Sequence, residues 1–64
     1  TAKMKGKNYK VLVEGKSKTE GLLSGRTGGN VIIEFIGDES LIGTFATVKV
    51  TNPRTWVVYG EYLG

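Results

Sequence analysis

Sixty-four residues with a net charge of +3 make room for one domain, since a chain of this size buries only ~60% of its unfolded surface. With no cysteine and no histidine, the chain has no disulfide, no thiolate or imidazole metal ligand, no thiol nucleophile and no imidazole base. The charge is uneven: Lys3, Lys5, Lys7, Lys10, Lys16 and Lys18 meet only Glu14 in residues 1–18, a net of +5, whereas Arg26, Lys49 and Arg54 against Glu20, Glu34, Asp38, Glu39 and Glu61 give −2 beyond it.

Residues 1–5 read as a lysine-bearing tail and residues 6–64 as the folded domain. The start at Thr1, without an initiator methionine, reads as a piece of a longer chain. No apolar run approaches the ~20 residues a membrane span needs, and no signal peptide is evident. The lack of cysteine fits the reducing cytoplasm.

Ten glycines and one proline divide the chain into short segments with no sustained helical period, and apolar residues alternate as strands require. The first expected strand, from about Lys7 to Glu14, sets Tyr9, Val11 and Val13 against Lys10, Leu12 and Glu14. Gly15 to Gly21 is a polar loop. The second strand, Leu22 to Thr27, ends at the hairpin turn Gly28-Gly29-Asn30. The third, Asn30 to Ile36, turns Val31, Ile33 and Phe35 to one face. A bend with one helical turn is expected over Gly37 to Gly43.

The fourth strand, Thr44 to Thr51, alternates Ala46, Val48 and Val50 with Phe45, Thr47 and Lys49. Asn52-Pro53-Arg54 is the next turn, because proline removes a ladder donor. The last strand, Thr55 to Leu63, sets Trp56, Val58 and Gly60 against Val57, Tyr59 and Glu61. Five strands this short are too few for a useful sandwich, so an all-β, small five-stranded antiparallel barrel of the OB-like or SH3-like kind is expected. Gly25 and Gly60 inside strands mark sharp bends or close backbone approach.

Catalysis needs a positioned acid, base, nucleophile or metal. Asp38 and Glu39 are adjacent carboxylates in a turn, where acids are ordinary. Gly25-Arg26-Thr27-Gly28-Gly29 matches neither the dinucleotide nor the phosphate-loop pattern and precedes no helix. The chain is therefore read as having no catalytic residue and no bound cofactor or metal.

Binding is the better use of the surface. Phe45, Lys49 and Tyr59 point outward if Val48 and Val58 point inward, Lys16 and Lys18 lie in a loop, and Arg26 stands at a glycine turn with no acid near it in sequence. Cations interleaved with exposed rings suit single-stranded RNA, each ring stacking an unpaired base for roughly 1–3 kcal/mol. Phe35 is assigned to the core instead, and Trp56 either caps the barrel or stacks on a base.

Taken in order, Val11-Leu12-Val13-Glu14-Gly15, Ser17-Lys18, Gly25-Arg26-Thr27, Phe35 with Gly37-Asp38, Leu41-Ile42-Gly43, Val48-Lys49-Val50-Thr51 and Gly60-Glu61 resemble the TRAM domain family across residues 6–61. More narrowly, the chain resembles the TRAM domain of bacterial radical-SAM tRNA methylthiotransferases. The resemblance implies a barrel that grips tRNA and presents its anticodon stem-loop to catalytic domains of the same parent chain. Those domains would hold 4Fe-4S clusters and S-adenosylmethionine. By position it makes Arg26, Thr27 and Lys18 RNA contacts, joining Lys16, Lys49, Tyr59 and Phe45. A monomer working in the cytoplasm is implied. Tyr59 and the apolar Thr55-Trp56-Val57-Val58 run depart from the family pattern.

Two other uses compete with RNA binding. A peptide-binding barrel would use Tyr9, Trp56, Tyr59 and Tyr62, though its usual acidic loops are at odds with the basic N-terminal segment. An interdomain docking barrel would use Leu12, Ile32 and Val57.

Overall fold

A computed structural model describes residues 5–54 and 57–64, so Trp56 and the tail up to residue 4 lie outside the described residues. The strands are β1 (Asn8–Lys16), β2 (Leu22–Thr27), β3 (Ile32–Ile36), β4 (Phe45–Pro53) and β5 (Val58–Tyr62), with a 3₁₀ turn at Glu39–Leu41. They close into a barrel in the order β1-β2-β3-β5-β4, with β4 returning to β1. The five-stranded barrel is as the alternation implied.

Strand direction differs in one place. β3 and β5 run parallel, with Ile33 opposite Val58 and Phe35 opposite Gly60, while the other four pairings are antiparallel. Geometry demands it: directions cannot alternate all the way round a ring of five, so one neighbouring pair must match.

The inward faces follow the alternation. Val11, Val13, Leu23, Ile33, Phe35, Ala46, Val48, Val50 and Val58 are buried together, with Tyr9, Val31 and Leu41 packed against them. Each large aliphatic side chain removed from water stabilises the fold by roughly 1.5–3 kcal/mol. Two strand glycines admit this packing. A Cβ on Gly25 would stand 2.6 Å from Val11 Cγ2, and one on Gly60 would strike Val48 Cγ1 and stand 2.9 Å from the Lys49 carbonyl oxygen. Both were expected to mark close approach, and both do.

The strand ends differ from the alternation in β1, β3, β4 and β5; β5 is Val58–Tyr62, with Val57 and Leu63 outside the strand and Thr55 and Trp56 outside the described residues. β1 continues to Lys16 through an irregularity between Val13 and Gly15, so Lys16 sits in a strand opposite Leu23 rather than in the loop. β4 continues to Pro53, which lies opposite Val58, after a second irregularity between Val50 and Asn52. Proline cannot donate to the ladder, and Pro53 lies past the irregularity and beyond the β4 residues that pair with β1, where the strand has a free edge. Beyond it the Arg54 N–H donates to the Val57 carbonyl at 2.8 Å. β3 begins at Ile32, because Asn30 is left-handed at φ 66° and belongs to the turn.

Candidate nucleic-acid interface

Register sets three outward residues in one row. Leu12 on β1 lies opposite Arg26 on β2 and, on its other side, opposite Phe45 on β4. Neighbouring strands stand ~4.8 Å apart, so the Phe45 and Arg26 backbones are roughly 10 Å from each other. Phe45 is 64% exposed, a large ring kept in water by its place on the outer face. Lys10, two residues before Leu12 and therefore on the same face, holds its Nζ 4.9 Å from the Phe45 ring centroid. Lys10, Leu12, Arg26, Thr27, Gly28 and Phe45 line an open groove of about 390 Å³. An ammonium over an exposed ring contributes only ~0.5–1 kcal/mol. A stacked base contributes more, so the lysine can yield the ring to a base and keep its charge for a phosphate.

No acid lies near Arg26 in sequence, and the fold supplies one from a distant segment. Its Nε donates to Glu14 Oε2 at 3.0 Å, with both side chains partly exposed. The two are far apart in sequence and meet because β1 and β2 pair. Thr27 is buried, and its Oγ1 accepts from the Gly29 N–H at 3.3 Å and the Val31 N–H at 3.2 Å. Its hydroxyl thus shapes the Gly28-Gly29-Asn30 turn at the rim of the groove, where backbone and Arg26 remain open to solvent.

The other expected contacts are spread out. Lys49 is exposed on the same face of β4 as Phe45, between Asn8 on β1 and Glu61 on β5. Lys10 pairs with Thr47, two residues before Lys49 on the same face of β4, so Lys49 lies beyond the groove toward the start of β1. Lys16 and Lys18 lie at the other end of the β1–β2 hairpin, roughly 10 Å or more along the strands from the Arg26 row. Lys16 forms an ion pair with Glu39 beside the 3₁₀ turn. Lys18 is exposed in the short loop closed by Thr19 donating to Ser17 Oγ at 3.0 Å.

Tyr59 is half-buried on β5 between Glu34 and Asn52, around the barrel from the groove, which spans β4, β1 and β2. The fold therefore brings together Phe45, Arg26 and Thr27, adjoins Lys49, and leaves Lys16, Lys18 and Tyr59 elsewhere. Tyr62 stacks on Phe35 with centroids 6.2 Å apart, and Tyr9 packs against the core.

Lys10, Leu12, Gly28 and Glu14 belong to this site and were not singled out as such. Alternation placed Lys10 and Leu12 on the outer face of β1. Only the pairing of β1 with both β2 and β4 joins them to Arg26 and Phe45. Among the described residues no group of His, Cys, Asp or Glu is arranged to hold a metal ion.

The sequence model of one family, the TRAM domain, matches residues 2–63. Three relatives are each described as a tRNA-2-methylthio-N(6)-dimethylallyladenosine synthase. That of Thermoanaerobacter sp. (strain X514) is 45% identical over 62 residues, covering 95% of this chain and 13% of the relative. That of Fusobacterium nucleatum is 48% identical over 62 residues, covering 95% and 14%. That of Moorella thermoacetica is 49% identical over 57 residues, covering 88% and 13%. The chain thus spans about one-seventh of the length of the relatives it matches.

Proposed function

The chain belongs to the TRAM domain family, and from that membership we propose that it is an RNA-binding barrel serving a tRNA-modifying enzyme. The RNA is tRNA, gripped near its anticodon stem-loop and held for a methylthiotransferase domain of the same parent chain. The likeness to enzymes described as tRNA-2-methylthio-N(6)-dimethylallyladenosine synthases supports this reading. The barrel acts as a monomer, in the cytoplasm, and performs no bond-making step of its own. The 4Fe-4S clusters and S-adenosylmethionine of such a parent are held outside it, since cysteine thiolates that would ligate a cluster are missing from this sequence.

The observation that carries the proposal is the row Phe45–Leu12–Arg26 with Lys10 over the ring. It combines what an unpaired nucleotide needs: an exposed aromatic face for the base, an apolar floor beneath it, and cations on either side for phosphates. Lys49 continues the positive edge. Lys16, Lys18 and Tyr59 would meet RNA only if it wraps beyond the groove.

The test is an amide chemical-shift titration of the 64-residue chain with a tRNA anticodon stem-loop at low and moderate salt. Salt-sensitive shifts at Lys10, Leu12, Arg26, Gly28, Phe45 and Lys49 are expected. An absence of shifts at both salts would overturn the proposal.

Docking on the parent enzyme is a compatible second reading, favoured by one observation. Ile36 at the end of β3 is 76% exposed, and Leu63, just past the end of β5, is exposed too. Because β3 and β5 run parallel, both apolar ends emerge at the same end of the barrel.

A further inference from the structure

Glu14 is an acid inside a site proposed to hold a polyanion, and it stands at an irregularity of β1. Val13 lies opposite Gly25, but Gly15 rather than Glu14 lies opposite Ser24, so Glu14 is the extra residue of a β-bulge. Bulges re-aim a side chain and recur beside functional sites. Here the side chain reaches the Nε edge of Arg26 at 3.0 Å. Side-chain exposures of 46% for Arg26 and 39% for Glu14 put the pair in solvent-screened surroundings. Such pairs contribute ~0–1 kcal/mol to stability, too little to explain a bulge as a stability device.

The geometry of the fork gives a better account. Arginine binds a phosphate best through two parallel N–H donors. Glu14 occupies the Nε side, which leaves the Nη edge as the free pair of donors. It also restricts a long side chain that otherwise loses rotamer freedom on binding.

We propose that Glu14 is a positioning residue for RNA: held by the β1 bulge, it fixes the Arg26 guanidinium so that its Nη edge meets a backbone phosphate. This rests on the RNA-binding reading above. The carboxylate also repels the phosphate it helps to recruit, so a simple deletion mixes two effects of opposite sign. Two neutral variants separate them. Both Glu14→Gln and Glu14→Ala remove the charge, and only glutamine keeps an acceptor within reach of Nε.

Affinity for the anticodon stem-loop would be measured for both variants at low and moderate salt, with amide spectra confirming folding. Glu14→Ala is expected to bind about three- to tenfold more weakly than Glu14→Gln, as the loss of one pre-ordered side chain implies, and by a similar ratio at both salts. The same comparison in an Arg26→Lys background should show no difference, because an ammonium has no fork to orient. Equal affinities of the two neutral variants, or tighter binding by Glu14→Ala, would overturn the inference while leaving RNA binding intact. Failure of the unsubstituted chain to bind would instead remove the RNA-binding reading, and this inference with it.

Discussion

Leu12 is flanked across two strand pairings by Arg26 and Phe45, and Lys10 joins the row from its own strand by placing its ammonium over the Phe45 ring. A cation, an apolar floor and a ring are thereby held on three adjacent strands, β2, β1 and β4, whose spacing the barrel does not allow to vary. Site geometry built on strands is more rigid than geometry built on loops.

Phe45→Ala should keep the fold and weaken stem-loop binding. The ring is mostly exposed, so its removal takes little from the core, whereas losing a stacked base costs roughly 1–3 kcal/mol of binding. Isothermal titration beside thermal unfolding would check this. Full affinity in the variant would show that the ring is not a stacking platform.

Arg26→Ala should weaken binding severalfold and make the log–log salt slope shallower by roughly 0.7, the share of one phosphate contact on a single strand. Unfolding should change by no more than ~1 kcal/mol, because the Glu14 pair is solvent-exposed. Titrations at three salt concentrations would measure the slope. An unaltered slope would take Arg26 out of phosphate contact.

Thr27→Val keeps the shape of a buried side chain but removes the oxygen that accepts from Gly29 and Val31. A loss of about 1–3 kcal/mol of stability is expected, since two partly buried N–H groups would be left without that partner. Thr27→Ser should restore most of it. Urea unfolding of both variants is the measurement, and RNA affinity of the serine variant would show whether the hydroxyl also touches RNA.

Gly60→Ala should destabilise the barrel by roughly 1–3 kcal/mol or prevent folding. The new Cβ has Val48 Cγ1 on one side and the Lys49 carbonyl on the other, and the backbone oxygen has no rotamer by which to move away. A denaturation midpoint equal to the unsubstituted chain's would mean that β5 can slide from its β4 register.

Val48→Asp should abolish folding, because Val48 is fully buried among Val11, Ile33 and Val50 and a carboxylate there would have no partner. Amide shift dispersion reports the outcome directly. A dispersed spectrum would invert the assigned faces of β4.

What the sequence by itself determined about this protein is what repeats along a single strand. The alternation through Val11, Val13, Ile33, Phe35, Ala46, Val48 and Val50 separated core from surface, because side chains in a strand take opposite sides by turns. Gly25 and Gly60 stood out as close approaches. The ordered motifs were enough to place the chain beside its family.

Only the tertiary structure decided what depends on pairing between distant segments. Alternation is silent on which residue of one strand lies opposite which of another, so it could not join Lys10 and Leu12 to Phe45 and Arg26. Nor could it foresee the Glu14–Arg26 pair, which β1–β2 pairing brings together, or the bulge at Glu14, since a bulge is an extra residue relative to a partner strand that the local pattern never sees. Closure decided the rest: a ring of five strands must contain a parallel pair, and the chain satisfies that at β3 and β5, away from the groove.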